Sequence, residues 1–205
     1  APSLSDFYTT PQRISGLGER IVQKIMLREG WDTRLFLFPK MKKHRRPLPQ
    51  SLSYLEQYLM PGEFGPTSFF SRYHRFGPSS QKSAAIILAE KPDAIFLSCF
   101  AFAYADDTVT LARQIKGYSP ATPVYVGGAG VSVLPEYFKR YTCIDAVIAG
   151  EAESRLADFS LTAAAPGSAS CDVASTTVKP RAIIAANMSH KNVLWLTTSL
   201  SRGCP

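Results

Sequence analysis

The sequence predicts a three-layer α/β domain built on a parallel β-sheet. Three short and almost entirely apolar runs, each ending in small or polar residues, carry this prediction: Ala94–Phe100, Val124–Val126 and Ala146–Ala149. Apolar runs that are too short for helices are typical of strands buried on both faces of a parallel sheet. Stretches of about 20–30 residues with helical periodicity separate them, which indicates right-handed βαβ units.

The composition of the 205-residue chain suits one domain with an appendage. Its net charge of +7 comes largely from one basic run, formed by Lys40, Lys42, Lys43, Arg45 and Arg46. No aromatic platform accompanies this run, as a protein that stacks single-stranded bases would need. We therefore interpret the run as a solvated loop and expect no nucleic-acid partner.

The same composition predicts a protein of the cytoplasm. No apolar run reaches the roughly 18–20 residues that a membrane span needs, so no membrane partner is expected. The first residues show no secretory signal pattern. Four cysteines lack the spacing of a disulfide framework, which favours a reducing compartment: Cys99, Cys143, Cys171 and Cys204.

The first predicted helix spans Ile14–Gly30 and leads into a strand over Arg34–Phe38. Its apolar face is formed by Leu17, Ile21 and Ile25, flanked by Val22 and Met26, with Glu19 on the polar face and Gly30 as a left-handed C-cap. A helix in this position normally follows a strand. The residues ahead of it are polar and predict a loop, so either a strand precedes Ala1 or the sheet does without one.

Residues Pro39–Pro78 interrupt the alternation of strands and helices. A structureless loop of this length is unusual in a compact domain. The stretch is rich in aromatic residues, which indicates that it packs on something: Tyr54, Tyr58, Phe64, Phe69, Phe70, Tyr73 and Phe76. We therefore expect an insertion over the edge or mouth of the sheet, with a short helix at Ser51–Leu59.

Helix caps can be predicted for the rest of the domain. Ser79 or Ser80 would cap a helix that ends at Glu90, and Asp106 or Asp107 would cap the next one. Pro135 suits the first turn of a short helix that ends at Tyr141. Later segments predict a helix through Ser160, a linker by composition and two short strands: Glu151–Ser160, Ala163–Val178, Ala182–Ala186 and Val193–Thr197.

Small and polar residues follow the predicted strands where ligands bind in parallel sheets, beyond the carboxyl ends. Ser98, Gly127–Gly128 and Gly150–Glu151 fall there. Gly127–Gly128 with Gly130 removes side chains where a backbone would contact a ligand closely. A tight strand-to-helix turn explains these glycines equally well, and the residues leave both readings open. The dinucleotide pattern GxGxxG lacks its third glycine here.

These residues resemble the cobalamin-binding domain family. Ser98-Cys99-Phe100, followed after 26 residues by Gly127–Gly128, is similar to the SxL…GG half of that family's pattern. The resemblance implies a flavodoxin-like, Rossmann-like fold. It also implies a corrin ring over the carboxyl edge of the sheet, with the dimethylbenzimidazole tail beside the serine and glycine strands.

The other half of the family pattern, DxHxxG, is incomplete in this chain. Its glycine is kept as Gly18, but Ser15 stands where the family has the histidine that binds cobalt. A hydroxyl is a poor cobalt ligand compared with an imidazole, so we expect a corrinoid bound without a protein histidine. The chain has three histidines, each interpreted as a surface or loop residue: His44, His74 and His190.

The residues expected to bind the cofactor come from four predicted loops. They are Ser15, Gly18, Ser98, Phe100, Phe102, Tyr104, Gly127, Gly128, Ala129, Gly130, Gly150 and Glu151. Ser98 would hydrogen-bond the buried tail, since a buried polar group needs a partner, or it bonds a neighbouring strand instead. Phe102 and Tyr104 would flank the corrin or belong to the core, and Glu151 would accept from the ligand or favour a helix start.

The final residues, Ser201-Arg202-Gly203-Cys204-Pro205, resemble the start of a radical S-adenosylmethionine domain. In that family the sequence continues as CxxxCxxC, whose thiolates hold a 4Fe–4S cluster. Only Cys204 is present. The resemblance implies a cobalamin-binding-like domain over residues 1–160 with an insertion at 39–78. Residues 161–205 would then be a linker and the beginning of a missing domain that uses S-adenosylmethionine.

We therefore expect a cobalamin-binding module that supports methyl transfer or related radical chemistry in another domain. This chain would bind the cofactor but would not catalyse by itself. One alternative is a flavodoxin-like domain that binds a nucleotide or flavin. Another is an interaction module that has lost its cofactor and uses the basic, aromatic insertion as its contact surface. The residues leave the substrate and the oligomeric state open.

Overall fold

A computed structural model of the chain describes residues 1–7, 16–58, 73–151 and 192–196. Its strands are β1 Leu4–Asp6, β2 Asp32–Phe36, β3 Lys43–Arg45, β4 His74–Phe76, β5 Ala94–Ser98, β6 Val124–Gly127, β7 Ala146–Ile148 and β8 Asn192–Leu196. Its α-helices are α1 Leu17–Arg28, α2 Ser80–Ala89, α3 Ala105–Tyr118, α4 Ala129–Val133 and α5 Pro135–Lys139. Three 3₁₀-helices lie at Phe38–Lys40, Gln50–Tyr58 and Phe102–Tyr104.

The main sheet of the described residues has five parallel strands in the order β2-β8-β5-β6-β7. The three buried runs predicted from the sequence form β5, β6 and β7, and the predicted strand after the first helix is β2. These four strands are confirmed, each within one or two residues of the predicted bounds.

Alternate residues of the strands pack on opposite faces of this sheet. Ile95 and Leu97 of β5 pack in one core with α2, α3, α4 and α5. Ala94 and Phe96 pack in a second core with Val22 and Met26 of α1. Both faces of the sheet are therefore covered by helices. Full burial of an Ile, Leu or Phe side chain contributes roughly 1.5–3 kcal/mol to stability. The predicted three-layer α/β fold is confirmed.

The first helix is confirmed, but its buried face differs from the predicted one. Leu17 is 54% exposed, whereas Glu19 is only 3% exposed. The buried stripe runs through Gly18, Val22 and Met26, one position later than predicted. The sequence allowed both stripes because apolar residues occupy adjacent positions along the helix. The predicted left-handed residue at its end is found, since Gly30 has φ 86°.

Two of the three predicted helix starts are confirmed. Ser79 caps α2, because its Oγ accepts from the Lys82 N–H at 3.2 Å. Pro135 occupies the first turn of α5. The prediction that Asp106 or Asp107 caps α3 is wrong, since both lie inside the first turn and Tyr104 takes the cap position without a side-chain bond. Carboxylates in a first turn are still favoured by the helix dipole.

A second, antiparallel sheet of three strands has the order β1-β4-β3 in the described part of the chain. The loop predicted for the first residues is therefore wrong at β1, which is a strand because β4 supplies its partner. Within the predicted insertion the structure has β3, β4 and a 3₁₀-helix where a short helix was predicted, and its place over the sheet stays a prediction. Residues 59–72 lie outside the described residues.

β8 lies between β2 and β5 in the main sheet. The strand predicted at Val193–Thr197 is thus confirmed, and it pairs in register with both neighbours. The predicted division of the chain at residue 160 stays a prediction. Residues 152–191 lie outside the described residues. They include the rest of the helix predicted to run through Ser160, the predicted linker and the strand predicted at Ala182–Ala186.

Candidate functional site

The loops that carry most candidate residues meet at one edge of the main sheet. Ser98 at the end of β5 is the register partner of Gly127 at the end of β6, and Gly127 is the partner of Ile148 at the end of β7. Three parallel strands therefore end in one row. The residues that follow them, including Phe100, Gly128 and Gly150, are brought to that edge.

Gly128 and Gly130 are required by contacts within the protein. A Cβ on Gly128 would lie 2.7 Å from the Cys99 carbonyl oxygen and 2.9 Å from the Ser98 Oγ, and its φ of 104° is unfavourable for other residues. A Cβ on Gly130 would lie 2.5 Å from the Ala101 carbonyl carbon. The loops after β5 and β6 thus touch here. A tight strand-to-helix turn accounts for both glycines, and their contact with a ligand stays a prediction.

The loop after β7 is more open than the other two. Gly150 is exposed, has φ 83°, and has no atom within 4 Å of the position that a Cβ would take. Glu151, the next residue, is also exposed. Space for a ligand at this edge is therefore found beside Gly150.

Ser132 links two of these loops, although the sequence did not single it out for that role. Its Oγ accepts from the Gly150 N–H at 2.8 Å and donates to the Gly128 carbonyl oxygen at 3.2 Å. One hydroxyl therefore fixes the loop after β7 against the turn after β6. No spacing in the sequence marks Ser132, which lies next to Val133, where the third glycine of a dinucleotide pattern would stand.

The three aromatic candidates in the loop after β5 are half-buried and differ in their contacts. Phe100 stacks on Tyr104, with ring centroids 6.4 Å apart and 18° between the planes. Phe102 packs edge-on against Tyr137 at 5.1 Å and lies beside the core. The Tyr104 hydroxyl donates to Asp6 of β1. Phe102 thus packs beside the core, and Phe100 and Tyr104 form a stacked pair.

The remaining candidates lie elsewhere or outside the described residues. Gly18 is buried in the first turn of α1. Ser15 and Cys204 belong to the segments that the structure does not describe. Of the histidines, His44 and His74 lie on the small antiparallel sheet rather than at the ends of the parallel strands.

A buried carboxyl group that the sequence placed on the polar side of α1 lies in the first turn of that helix. Burial raises the pKa of Glu19 to about 7, against the weaker opposite effect of the amino terminus and Lys40. Neither of its carboxylate oxygens has a hydrogen-bond partner among the described residues. The pattern of polar and apolar residues in α1 gave no signal that Glu19 would be buried. The packing of the helix decides which of its side chains are buried.

The cysteine within the candidate edge is not a nucleophile. Burial raises the pKa of Cys99 to about 11, and its thiol donates to the Ala101 carbonyl oxygen at 3.1 Å. A thiol with a raised pKa holds little thiolate at neutral pH and is inert. The edge therefore offers hydroxyl groups, backbone groups and aromatic rings. Its chemistry is suited to holding a ligand rather than to attacking one.

Comparison with known proteins gives one family for this edge. Residues 71–160 match the family model described as "B12 binding domain". The search of the curated proteins and the search of the solved structures returned no match. None of the helices in the described residues has the length and apolar character needed to cross a membrane. The matched segment contains β4 to β7 and every candidate residue from Ser98 to Glu151, and the described part of it has the flavodoxin-like fold.

Proposed function

We propose that the chain binds a corrinoid at the carboxyl edge of β5, β6 and β7. The observation that carries this proposal is the coincidence of the family match with that edge: the matched residues 71–160 supply all three strand ends. Ligands of open parallel sheets bind at such edges. The matched segment also supplies the loops that would hold the ligand there.

The residues at the edge fit a large ligand with amide and aromatic parts. The Ser98 hydroxyl is half-buried at the strand end, and the open side of Gly150 and Glu151 leaves room for a ligand's polar rim. The stacked pair of Phe100 and Tyr104 offers an apolar wall. Gly128 and Gly130 are closed against the loop after β5, so they shape the edge rather than leave it bare.

We further propose that the corrinoid is held without a protein histidine. Ser15 stands at the histidine position of the family pattern, and the two described histidines belong to the small sheet. A bound cobalamin would supply an alkyl group for transfer. The residues of this chain would bind and orient the cofactor.

The partner of this module is proposed to be a radical S-adenosylmethionine domain. The proposal rests on the sequence Ser201–Pro205, which resembles the start of the cluster motif of that family. Cys204 alone cannot hold a 4Fe–4S cluster, which needs three thiolates in that motif. Methyl transfer or related radical chemistry would then belong to that domain, and this chain would bind and orient the cofactor for it.

Retention of hydroxocobalamin tests the binding proposal. Purified chain is incubated with hydroxocobalamin, desalted and examined by visible spectroscopy, with flavin mononucleotide in a parallel sample. We expect a corrin band that stays with the protein and no flavin band. A retained flavin band would favour the flavodoxin-like alternative. Retention of neither ligand would leave the interaction module.

The natural sequence that follows Pro205 tests the proposed partner. We expect two further cysteines within about 10 residues, at the spacing of the cluster motif CxxxCxxC. A continuation without them would remove the radical S-adenosylmethionine part of the proposal and leave the corrinoid site untouched.

A further inference from the structure

The small antiparallel sheet is fastened to the start of α3 by a carboxylate. The Ser5 backbone N–H donates to Asp107 Oδ2 at 2.8 Å, and the Ser5 hydroxyl donates to Asp107 Oδ1 at 3.1 Å. Both oxygens of one side chain therefore hold one residue of β1. Two such bonds fix the direction of the strand as well as its distance from the helix.

A second contact joins the next residue of β1 to the residue before α3. The Tyr104 hydroxyl donates to Asp6, the neighbour of Ser5, and Tyr104 precedes α3. The two contacts therefore run in opposite directions. Asp107 of α3 accepts from β1, and Asp6 of β1 accepts from the residue before α3. This arrangement joins the small sheet to the loop that carries Phe100, Phe102 and Tyr104.

The residues that flank β1 and β4 are also in close contact. The Ser3 hydroxyl donates to the Pro78 carbonyl oxygen at 2.7 Å, which ties the start of β1 to the residues after β4. A Cβ on Gly77 would lie 2.6 Å from Ser3 Oγ and 2.7 Å from the Phe38 carbonyl oxygen. The start of β1 and the end of β4 are therefore closely packed beside Ser5.

The buried carboxyl group of Asp107 needs hydrogen-bond donors to offset the cost of removing it from water. Burial raises its pKa, the two hydrogen bonds from Ser5 lower it, and the nearby charges of Asp106 and Arg46 act in opposite directions. A buried acceptor left without its donor costs about 1–3 kcal/mol. The attachment of Ser5 is therefore the state in which this carboxyl group is satisfied.

We propose that Asp107 is a positioning residue for the corrinoid site. By holding Ser5, it fixes the small sheet against the loop after β5, and so fixes the wall that Phe100 and Tyr104 present to the ligand. This inference rests on the proposed corrinoid binding. Asp107 acts through Ser5 and the loop and does not itself contact the ligand.

Three variants of the full chain test the inference by titration with hydroxocobalamin. In Asp107→Ala, Ser5 loses both acceptors, and we expect binding to weaken about tenfold, since lost bonds of this kind are worth roughly 1.5 kcal/mol or more. In Asp107→Asn, the amide oxygen still accepts from the Ser5 N–H and the amide nitrogen can donate to the Ser5 hydroxyl. We therefore expect Asp107→Asn to bind within about threefold of the unchanged protein.

Asp145→Ala is the matched control. Asp145 also accepts a backbone N–H, from Val124 at 2.6 Å, and it pairs with Lys116 at 2.7 Å, but it directly precedes β7, at the amino ends of β6 and β7. We expect it to lose stability without a change in hydroxocobalamin affinity. Amide exchange of residues 1–7 is measured in parallel without ligand, and it should quicken in Asp107→Ala and stay slow in Asp107→Asn.

The outcomes separate this inference from the proposed function. An unchanged protein that does not retain hydroxocobalamin would overturn both. If that protein binds and Asp107→Ala binds equally well, the inference alone fails. Equal weakening in Asp107→Ala and Asp107→Asn would also overturn it, because the charge rather than the hold on Ser5 would then matter.

Discussion

Gly128 lies where the loops after β5 and β6 touch, and its cost of replacement can be predicted. In Gly128→Ala the new methyl group would meet the Cys99 carbonyl oxygen at 2.7 Å, in a backbone conformation with φ 104°. A residue forced into such a region costs about 1–3 kcal/mol, and the contact adds to it. We expect the free energy of unfolding in urea to fall by about 2 kcal/mol or more.

Gly117→Ala is the control for this substitution. Gly117 lies in α3 and has no atom within 4 Å of its Cβ position. Alanine in a helix interior is more favourable than glycine by about 0.5–1 kcal/mol, so this variant should be at least as stable as the unchanged protein. Equal stability of Gly128→Ala and the unchanged protein would show that the two loops are not in contact.

Glu19 gives a pH dependence of stability with a definite sign. Its pKa is raised from 4.5 to about 7, so the folded state binds this proton more tightly than the unfolded chain does. The folded state therefore gains stability as the pH falls from above 7 towards 4.5, and loses it as the pH rises through about 7. Between the two ends of this pH range the contribution of Glu19 to the free energy of unfolding changes by roughly 3 kcal/mol.

Urea unfolding of Glu19→Gln at pH 5 and pH 8 measures this contribution. We expect the variant to be more stable than the unchanged protein at pH 8. We also expect its free energy of unfolding to change much less between pH 5 and pH 8 than that of the unchanged protein. Glu29→Gln is the control, because Glu29 is exposed at the end of the same helix. A greater loss of stability at pH 8 in Glu19→Gln would mean that the ionised carboxylate is held by a partner.

At the scale of elements, the start of α2 can be tested by one hydroxyl. Ser79→Ala removes the acceptor of the Lys82 N–H, and loss of such a cap costs about 1 kcal/mol. Ser80→Ala is the neighbouring control, since Ser80 is the first residue inside the helix. We expect the urea midpoint to fall for Ser79→Ala only. If both variants lost the same stability, the loss would come from replacing a serine at this end of the helix and not from the hydrogen bond of the Ser79 cap.

The elements that the sequence predicted are those whose signal is local. Neighbouring residues in the chain are enough to predict the apolar strands β5, β6 and β7 and the serine cap of α2. The structure contains all four features. The Gly127–Gly128 pair was expected either to contact a ligand or to form a tight turn, and the structure has a tight turn in which another segment comes close to Gly128. The approaching group, however, is the backbone of Cys99, which lies in another loop and could not be seen from spacing.

The features that the sequence missed depend on distant partners. β1 contains only the residues Leu4–Asp6, without strand alternation, and it is a strand because β4 and Asp107 hold it. Asp107 was expected to cap α3, but it turns to Ser5, which is 102 residues away. The buried face of α1 was off by one position for a similar reason, since the sheet selects between two adjacent apolar stripes.

At the scale of the whole molecule, the two edges of the main sheet offer different surfaces to a ligand. The carboxyl edge carries Ser98, the stacked aromatic pair and the open loop at Gly150. The opposite edge carries a groove between the ends of α2 and α3, lined by Ala85, Leu88 and Tyr118 among others. Family match and strand register favour the carboxyl edge, but shape alone would allow either.

Amide exchange with and without hydroxocobalamin decides between the edges. We expect slower exchange in the loops after β5, β6 and β7, at residues 99–104, 128–132 and 149–151. No change is expected at residues 119–123, which precede β6 at the opposite edge. At a ligand concentration of about 100 times Kd, the free energy of unfolding should also rise by about 2.7 kcal/mol. Protection confined to residues 119–123 and to the ends of α2 and α3 would move the site to the groove, and the roles proposed for Ser98 and Gly150 would fall.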